Sequence, residues 1–218
     1  MAVVTNGSRN KVIEEVASLF TPGDWVRLSL DSGTEETFQA MHRPKSPTIT
    51  LDSICTSARK LKKANPKISL GLSFVITWKG ASRGDEQVIE NIAEMGRATQ
   101  LALDFNFDYI SFKPFLMRGA EGAEAMDPKA AKESHAQVLK KIRHGLREAE
   151  KTAQDSVAVI ESTNLRVLLD GTWQEYADQP KVCHMQALRQ VVSPLGVFNC
   201  PARRGVDKAK IGSADAFL

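Results

Sequence analysis

Apolar positions along the chain change period repeatedly, from runs that suit strands to spacings that suit helices. "AVVT" (Ala2–Thr5) reads as a strand and Lys11–Phe20 as a helix, with Val12, Ile13, Val16, Leu19 and Phe20 on one side and Asn10 or Ser8 as its cap. Thr21-Pro22-Gly23-Asp24 breaks that helix, and "WVRLSL" (Trp25–Leu30) is the next strand. From about Thr50 to Ala64, Leu51, Ile54, Cys55, Ala58 and Leu61 form one helical stripe, which Asn65-Pro66 ends. "ISLGLSFVI" (Ile68–Ile76) is apolar almost throughout, the texture of a parallel strand covered on both faces. A Gly- and Ser-bearing loop over Trp78–Asp85 leads to a long helix predicted for Glu86–Leu103, built on Val88, Ile89, Ile92 and Met95. Tyr109–Lys113 is a strand, Arg118–Asp127 a small-residue loop, and Pro128–Ala153 a helix with proline at its favoured first position. Beyond Ser156, "VAVI" and "LRVLLD" both read as strands. The tail from Cys183 predicts a hairpin turning at Ser193-Pro194-Leu195-Gly196, followed by irregular chain.

Strand and helix therefore alternate, and right-handed βα units of this kind build either a doubly wound sheet or a (β/α) barrel. A barrel unit takes about 30 residues, so the alternating part supplies four to five units rather than eight. The expected division is residues 1–175 for this layer and 176–218 for the hairpin segment.

Composition narrows the function classes. The 218 residues carry 42% hydrophobic and 25% charged side chains, ordinary for a cored protein, and a net charge of +3 does not suggest nucleic acid as a partner. Basic runs at Arg59–Lys63 and Lys140–Arg143 fall on predicted helices and read as solvated faces. No stretch reaches the roughly 18 apolar residues of a membrane span, and no signal peptide is visible, so no membrane partner is expected and the cytoplasm is the default location. Three cysteines do not make a secreted disulfide framework. Cys55 sits on an apolar stripe and reads as core.

Chemistry concentrates where strands end. In "VRLSLDSGTEETFQAMHRP", Ser29 and Asp31 share strand parity opposite to Leu28 and Leu30, and carboxyl ends of parallel strands are where such folds place function. The plainer alternative is that Asp31 and Ser32 close the strand and cap the next helix, with Thr34 also available as a cap. No Ser/His/Asp set, phosphate-binding loop or HExxH motif occurs.

The stretch "SLDSGTEETFQAMHRP" resembles the fourth strand and following loop of radical S-adenosylmethionine (radical SAM) enzymes, in the group that includes molybdopterin-precursor synthases and peptide-maturing enzymes. "VVTNG" resembles the third strand of those barrels, "ISLGLSFVI" the fifth, and "RGDEQVIENIAEMGRATQLALDFNFDYISFKPF" the helix and sixth strand. The tail "CHMQALRQVVSPLGVFNCPARRG" resembles the start of an auxiliary iron–sulfur module of the SPASM or twitch type. The fold implied is α/β: a partial (β/α) barrel of parallel strands, the third to sixth or seventh units, with a C-terminal β-hairpin extension. The family's CxxxCxxC loop, which holds the [4Fe–4S] cluster, has no match, nor has its Gly-rich second strand. Both are expected upstream of Ala2, in a missing N-terminal half or partner subunit, with homo-oligomerisation as another way to cover the open sheet edges.

By resemblance, Thr5, Asn6, Ser29 and Asp31 would contact the ribose and carboxylate of S-adenosylmethionine. Phe112 and Lys113 would lie along its adenine, unless Lys113 faces substrate or is a plain surface lysine. Cys183 and Cys200 would ligate an auxiliary cluster, or are two buried small residues. His42-Arg43-Pro44 follows the fourth strand on the functional side and is equally well a solvated loop. The activity implied is formation of a 5′-deoxyadenosyl radical that abstracts hydrogen from a small-molecule or peptide substrate. No catalytic residue is assigned. The alternatives are a non-catalytic protein that binds S-adenosylmethionine or a nucleotide, or acts as a scaffold, and an ordinary (β/α) enzyme of the aldolase kind.

Overall fold

A computed structural model describes residues 1–83, 86–118, 124–125, 135–176 and 182–216. The chain divides into two units, Met1–Phe115 with Lys129–Asp170, and Leu116–Pro128 with Gly171–Leu218.

The first unit is built on five parallel strands in sequential order: β1 (Ala2–Thr5), β2 (Trp25–Ser29), β3 (Ser69–Ile76), β4 (Tyr109–Pro114) and β5 (Ala158–Glu161). Between them run α1 (Asn10–Glu15), α2 (Glu35–His42), α3 (Leu51–Ala64), α4 (Met95–Asp104) and α5 (His135–Ala153), and α6 (Thr163–Asp170) follows β5. Each step moves to the next neighbour in the same direction. Right-handed crossovers that all step one way place all their helices on one face of the sheet. The register shows which residues meet them: Val26, Leu28 and Leu30, Leu70, Leu72 and Phe74, and Ile110 and Phe112 are fully buried. Helices α3 and α5 bring Ile54, Ala58, Leu61, Val138, Ile142 and Ala149 to the same core. Helices α4 and α5 approach closely where Gly145 has no side chain, since a Cβ there would stand 2.6 Å from the Met95 sulfur. The sheet is barrel-like in order, and among the described residues it does not close: β1 pairs with β2, and β5 with β4.

Polar staples fix the amino-terminal ends of the strands. Lys62 Nζ donates to both Asp108 oxygens, at 2.8 and 2.7 Å, and the Leu70 amide donates to Asp108 Oδ2 at 2.7 Å. Asn65 Nδ2 donates to the Ala17 and Phe20 carbonyls, satisfying the turn before β2.

Several sequence-based expectations are corrected. The helix predicted for Lys11–Phe20 stops at Glu15 and a 3-10 turn covers Ala17–Leu19; Val12, Val16 and Leu19 stay exposed, so the expected stripe is not a core face. Neither Ser8 nor Asn10 caps it, because Arg9 holds that position and Asn10 Nδ2 donates to the Ile54 carbonyl. The long helix expected over Glu86–Leu103 is an extended pair (Ser82–Arg83 with Glu86–Gln87), a 3-10 turn at Ile92–Glu94, and then α4. Hydrogen bonds from the Val88 amide to the Ala81 carbonyl and from the Asn91 amide to the Thr77 carbonyl hold this stretch out of helix. "LRVLLD" is helical, since Leu165, Leu168 and Leu169 bury at helical spacing. The helix expected from Pro128 is described from His135, and Pro128 lies outside the described residues. Met117–Arg118 pairs with Glu124–Ala125 inside the expected small-residue loop.

In the second unit, α7 (Met185–Leu188) precedes an antiparallel sheet of β6 (Val191–Ser193), β7 (Gly196–Phe198) and β8 (Lys210–Gly212). The hairpin turns between Ser193 and Gly196 as the sequence predicts, while the chain expected to be irregular adds the third strand. Gly196 is required there, with φ 130° and a would-be Cβ 2.6 Å from the Gly212 carbonyl oxygen.

Leu72, fully buried at the centre of β3, anchors the first unit. Leu72→Ala lowers unfolding free energy by roughly 2–5 kcal/mol, read by urea denaturation.

Candidate functional site

In a parallel sheet, residues in register point to the same face. The face turned away from the helices carries Trp25, Arg27 and Ser29 from β2, Gly71, Ser73 and Val75 from β3, and Tyr109, Ser111 and Lys113 from β4. Three rows follow. Arg27, Gly71 and Tyr109 form one; Ser29, Ser73 and Ser111 form the next; Val75 and Lys113 stand at the carboxyl end.

Each row has a packing reason. A Cβ on Gly71 would fall 1.9 Å from Tyr109 Cζ and 2.4 Å from its hydroxyl oxygen, so the glycine is the slot across which the tyrosine ring lies. The Arg27 guanidinium stacks 5.0 Å from the centroid of Trp25, two residues back on the same face. Arg27 Nε is buried and has no hydrogen-bond partner among the described residues. None of the three serine hydroxyls makes a hydrogen bond among those residues either, although Ser73 and Ser111 are buried. Burial raises the Tyr109 phenol, which Arg27 opposes and Asp108 reinforces. Burial lowers the Lys113 ammonium, the nearby Arg27 charge lowers it further, and Asp31 opposes both.

Above these rows the strand ends are locked. Asp31 has left-handed backbone, φ 51°, and its Oδ1 accepts the Val75 amide at 2.7 Å. Asn91, 1% exposed, donates from Nδ2 to the carbonyls of Asp31 and Val75, both at 2.8 Å, while its Oδ1 accepts the Thr77 amide at 2.8 Å. Glu94 reaches from the following 3-10 turn to the start of α2. It accepts the Gly33 amide at 2.7 Å, the Thr34 amide at 3.1 Å, Thr34 Oγ1 at 2.8 Å and Thr37 Oγ1 at 2.5 Å. A carboxylate there satisfies helix amides and matches the positive end of the helix dipole. Gly33 is needed for that approach, since a Cβ would stand 2.7 Å from the Glu94 carbonyl oxygen. A cleft of about 270 Å³ opens at this rim, lined by Asp31, His42, Arg43, Val75, Thr77 and Phe115 among others.

The structure sorts the sequence candidates. Ser29, Asp31 and Lys113 belong to one face and its rim. Thr5 does not: it is in register with Leu28 on the helix-facing side, and its Oγ1 accepts the Gly7 amide at 3.1 Å. Asn6 lies beyond β1, accepts Ser8 N at 3.1 Å and Ser8 Oγ at 2.8 Å, and lines a separate cleft of about 390 Å³. Phe112 is corrected to core, fully buried and edge-on to Phe74 at 5.5 Å, so it cannot lie along a ligand on the opposite face. His42 is held structurally, its Nε2 2.6 Å from the Leu30 carbonyl oxygen and its ring stacked on Phe38. Thr34 is the cap of α2, as one reading expected. Sequence reasoning missed Arg27, Gly71, Ser73, Tyr109, Ser111, Asn91 and Glu94. The recoverable signal was the alternation in "WVRLS", "GLS" and "YISFK", which puts a small polar residue on the same parity three times.

The cysteines do not make a core iron–sulfur site. Cys55 is buried in α3, its thiol pushed up to about 12 by burial and then by Asp52. Cys183 is exposed and Cys200 half-buried, both as free thiols. Among the described residues no three His, Cys, Asp or Glu side chains are grouped to hold a metal ion. No described helix is long and apolar enough to cross a membrane.

No protein-family model matches this chain, and no curated protein matches it. Solved structures do. One is Streptococcus suis SuiB bound to S-adenosylmethionine, at 12% identity and a TM-score of 0.58, covering 97% of this chain and 44% of that one. At that identity the likeness is one of fold, and it supports the α/β architecture of successive parallel strands expected from the sequence. This chain spans less than half the length of that neighbour. An aldolase, QR15, aligns over 82% of this chain and 75% of its own at 9% identity, with a TM-score of only 0.33.

Two measurements check this account. Asn91→Ala strands the Asp31 and Val75 carbonyls and the Thr77 amide, and destabilises the protein by roughly 2–4 kcal/mol in chemical denaturation. A chromogenic disulfide reagent near pH 8 labels Cys183 rapidly, whereas Cys55 reacts only in denaturant, because a buried thiol with a raised pKa presents almost no thiolate.

Proposed function

We propose that this chain is part of a radical-SAM-like protein and that it binds S-adenosylmethionine on the helix-free face of its sheet. The observation that carries the reading is the serine row, Ser29, Ser73 and Ser111, whose hydroxyls are unused within the described fold and lie just below the rim where Asp31 stands. Such hydroxyls suit ribose and carboxylate oxygens, and Asp31, which accepts the Val75 amide, stands at the rim beside them. The fold shared with a protein solved with S-adenosylmethionine bound supports the same reading. Bound there, that cofactor supplies a sulfonium-activated adenosyl group. Ser29, Ser73 and Ser111 orient it, Asp31 anchors one polar end, and the lock made by Asn91 and Glu94 keeps the rim from shifting.

The core [4Fe–4S] cluster of the resembled family does not fit this chain, whose three cysteines are one deeply buried helix residue and two in the second unit. The role assigned to this chain is to bind and position; thiolate ligands for a core cluster would come from another polypeptide segment. The absence of a ligand set among the described residues favours a second reading, a protein that binds S-adenosylmethionine without cleaving it.

Isothermal titration of the purified protein with S-adenosylmethionine is expected to show saturable binding. A Ser29→Ala, Ser111→Ala double variant should weaken it by about tenfold or more, the loss of one to two hydrogen bonds to a charged group. No binding at millimolar ligand removes the reading. Assaying 5′-deoxyadenosine after anaerobic iron–sulfur reconstitution and reduction separates the two alternatives: product supports the enzyme, and binding without product supports the holder.

A further inference from the structure

Arg27 and Lys113 approach the serine row from opposite ends, one row below it and one row above. Neither has a hydrogen-bond or ion-pair partner among the described residues; the stacked Trp25 ring is the only group that answers Arg27. The acids nearby are committed. Asp31 holds the Val75 amide, and Asp108 is taken by Lys62 and the Leu70 amide at the far end of the strands. Arg27 disfavours the charge on Lys113, after burial, and Asp31 opposes both. Arg27 Nε adds a buried donor with nothing to bond, in a protein interior where buried donors are normally satisfied. Tyr109 lies across Gly71 beside it and places a hydroxyl on the same face. A neutral ligand would leave both like charges and the orphan donor as they are, whereas an oxyanion answers all of them.

We infer that the helix-free face carries a substrate-recognition site for an oxyanion, a carboxylate or a phosphate, held between Arg27 and Lys113 over the hydroxyls of Ser73 and Ser111. This deepens the reading of the same face as a ligand site and assigns an anionic group to the substrate, apart from the carboxylate of S-adenosylmethionine. Arg27 contributes a planar fork and Lys113 a point charge, a division suited to gripping one flat oxyanion edge while tolerating variation at the other end.

The full chain, isotopically labelled, is titrated in separate arms with citrate and with pyrophosphate, reading the Arg27 Nε–H resonance. The expected result is a saturable shift of that resonance in at least one arm, which also says whether carboxylate or phosphate is preferred. In isothermal titrations with the same anions, which do not need the Arg27 resonance, Arg27→Gln and Lys113→Gln should each weaken binding by about tenfold, and Lys67→Gln, an exposed charge elsewhere, should leave it unchanged. Because the variants could lose structure, Lys113→Arg, which retains the charge at the point-charge end, is expected to restore most of the affinity, while Arg27→Lys keeps the fold but not the fork and restores only part of it. No shift of Arg27 in either arm, or equal loss of affinity in the Lys67 variant, overturns the inference. Repeating the titration with S-adenosylmethionine separates the two readings. Citrate or pyrophosphate bound at Arg27 without any binding of S-adenosylmethionine leaves this inference standing and removes the cofactor reading. S-adenosylmethionine bound while both anions fail to bind does the reverse. Displacement of either anion by S-adenosylmethionine overturns the assignment to substrate, since one oxyanion site would then serve the cofactor.

Discussion

Every crossover in the parallel sheet steps to the next strand in the same direction, and the rest of the structure depends on that constraint. Right-handed connections then have one face to cover, and the helices all go there. The sequence answers with segregation across the three central strands: Leu28, Leu72 and Ile110 meet the helices, and Arg27, the serines and Lys113 take the other side with Trp25 and Val75. In a doubly wound sheet both faces would be buried, and Arg27 in mid-strand or Lys113 near the carboxyl end would be prohibitively placed. One-sided winding is what allows a polar, ligand-competent surface to be made from strand residues, which are held more rigidly than loops.

That surface also needs a fixed upper edge. Parallel strands end without a hairpin to hold them, so the carboxyl ends of β2 and β3 must be tied by something else. Asn91 supplies both donors and an acceptor at once, replacing the ladder where it stops. Glu94, three residues on, ties the start of α2 into the same turn. The 3-10 turn over Ile92–Glu94 lets one short segment aim Asn91 at the strand ends and Glu94 at the start of α2. It also explains the left-handed Asp31, whose carbonyl and carboxylate must face Asn91 and the Val75 amide together.

Much of this was legible from local pattern. The order of the strands, the apolar stripe of α3, and the hairpin at Ser193–Gly196 follow from period and turn chemistry within a few residues of each position. The segment from Glu86 was not, because Val88, Ile89, Ile92 and Met95 do repeat at helical spacing, and only the Thr77 backbone, distant in sequence, shows why the first half is held extended. The site failed in the same way. Strand parity put Ser29 and Asp31 on one side, but whether Phe112 or Lys113 shares it depends on which parity of β4 meets β3. Strand "YISFK" has polar groups on one parity and Ile110 and Phe112 on the other, so reading parity across all three strands would have excluded Phe112.

Lys113 sits on this face at an energetic disadvantage: burial and Arg27 both disfavour its charge, and Asp31 only partly offsets them. A group whose folded-state pKa is depressed opposes folding while it is protonated, and the penalty fades as pH rises through its lowered folded-state pKa. Arg27 stacks on Trp25 yet leaves its Nε without a partner among the described residues, beside a tyrosine that needed a glycine to fit. A disfavoured ammonium, an unanswered buried donor and three idle hydroxyls on a single face are poor design for a fold alone. They are consistent with a face whose missing interactions are supplied by what binds there.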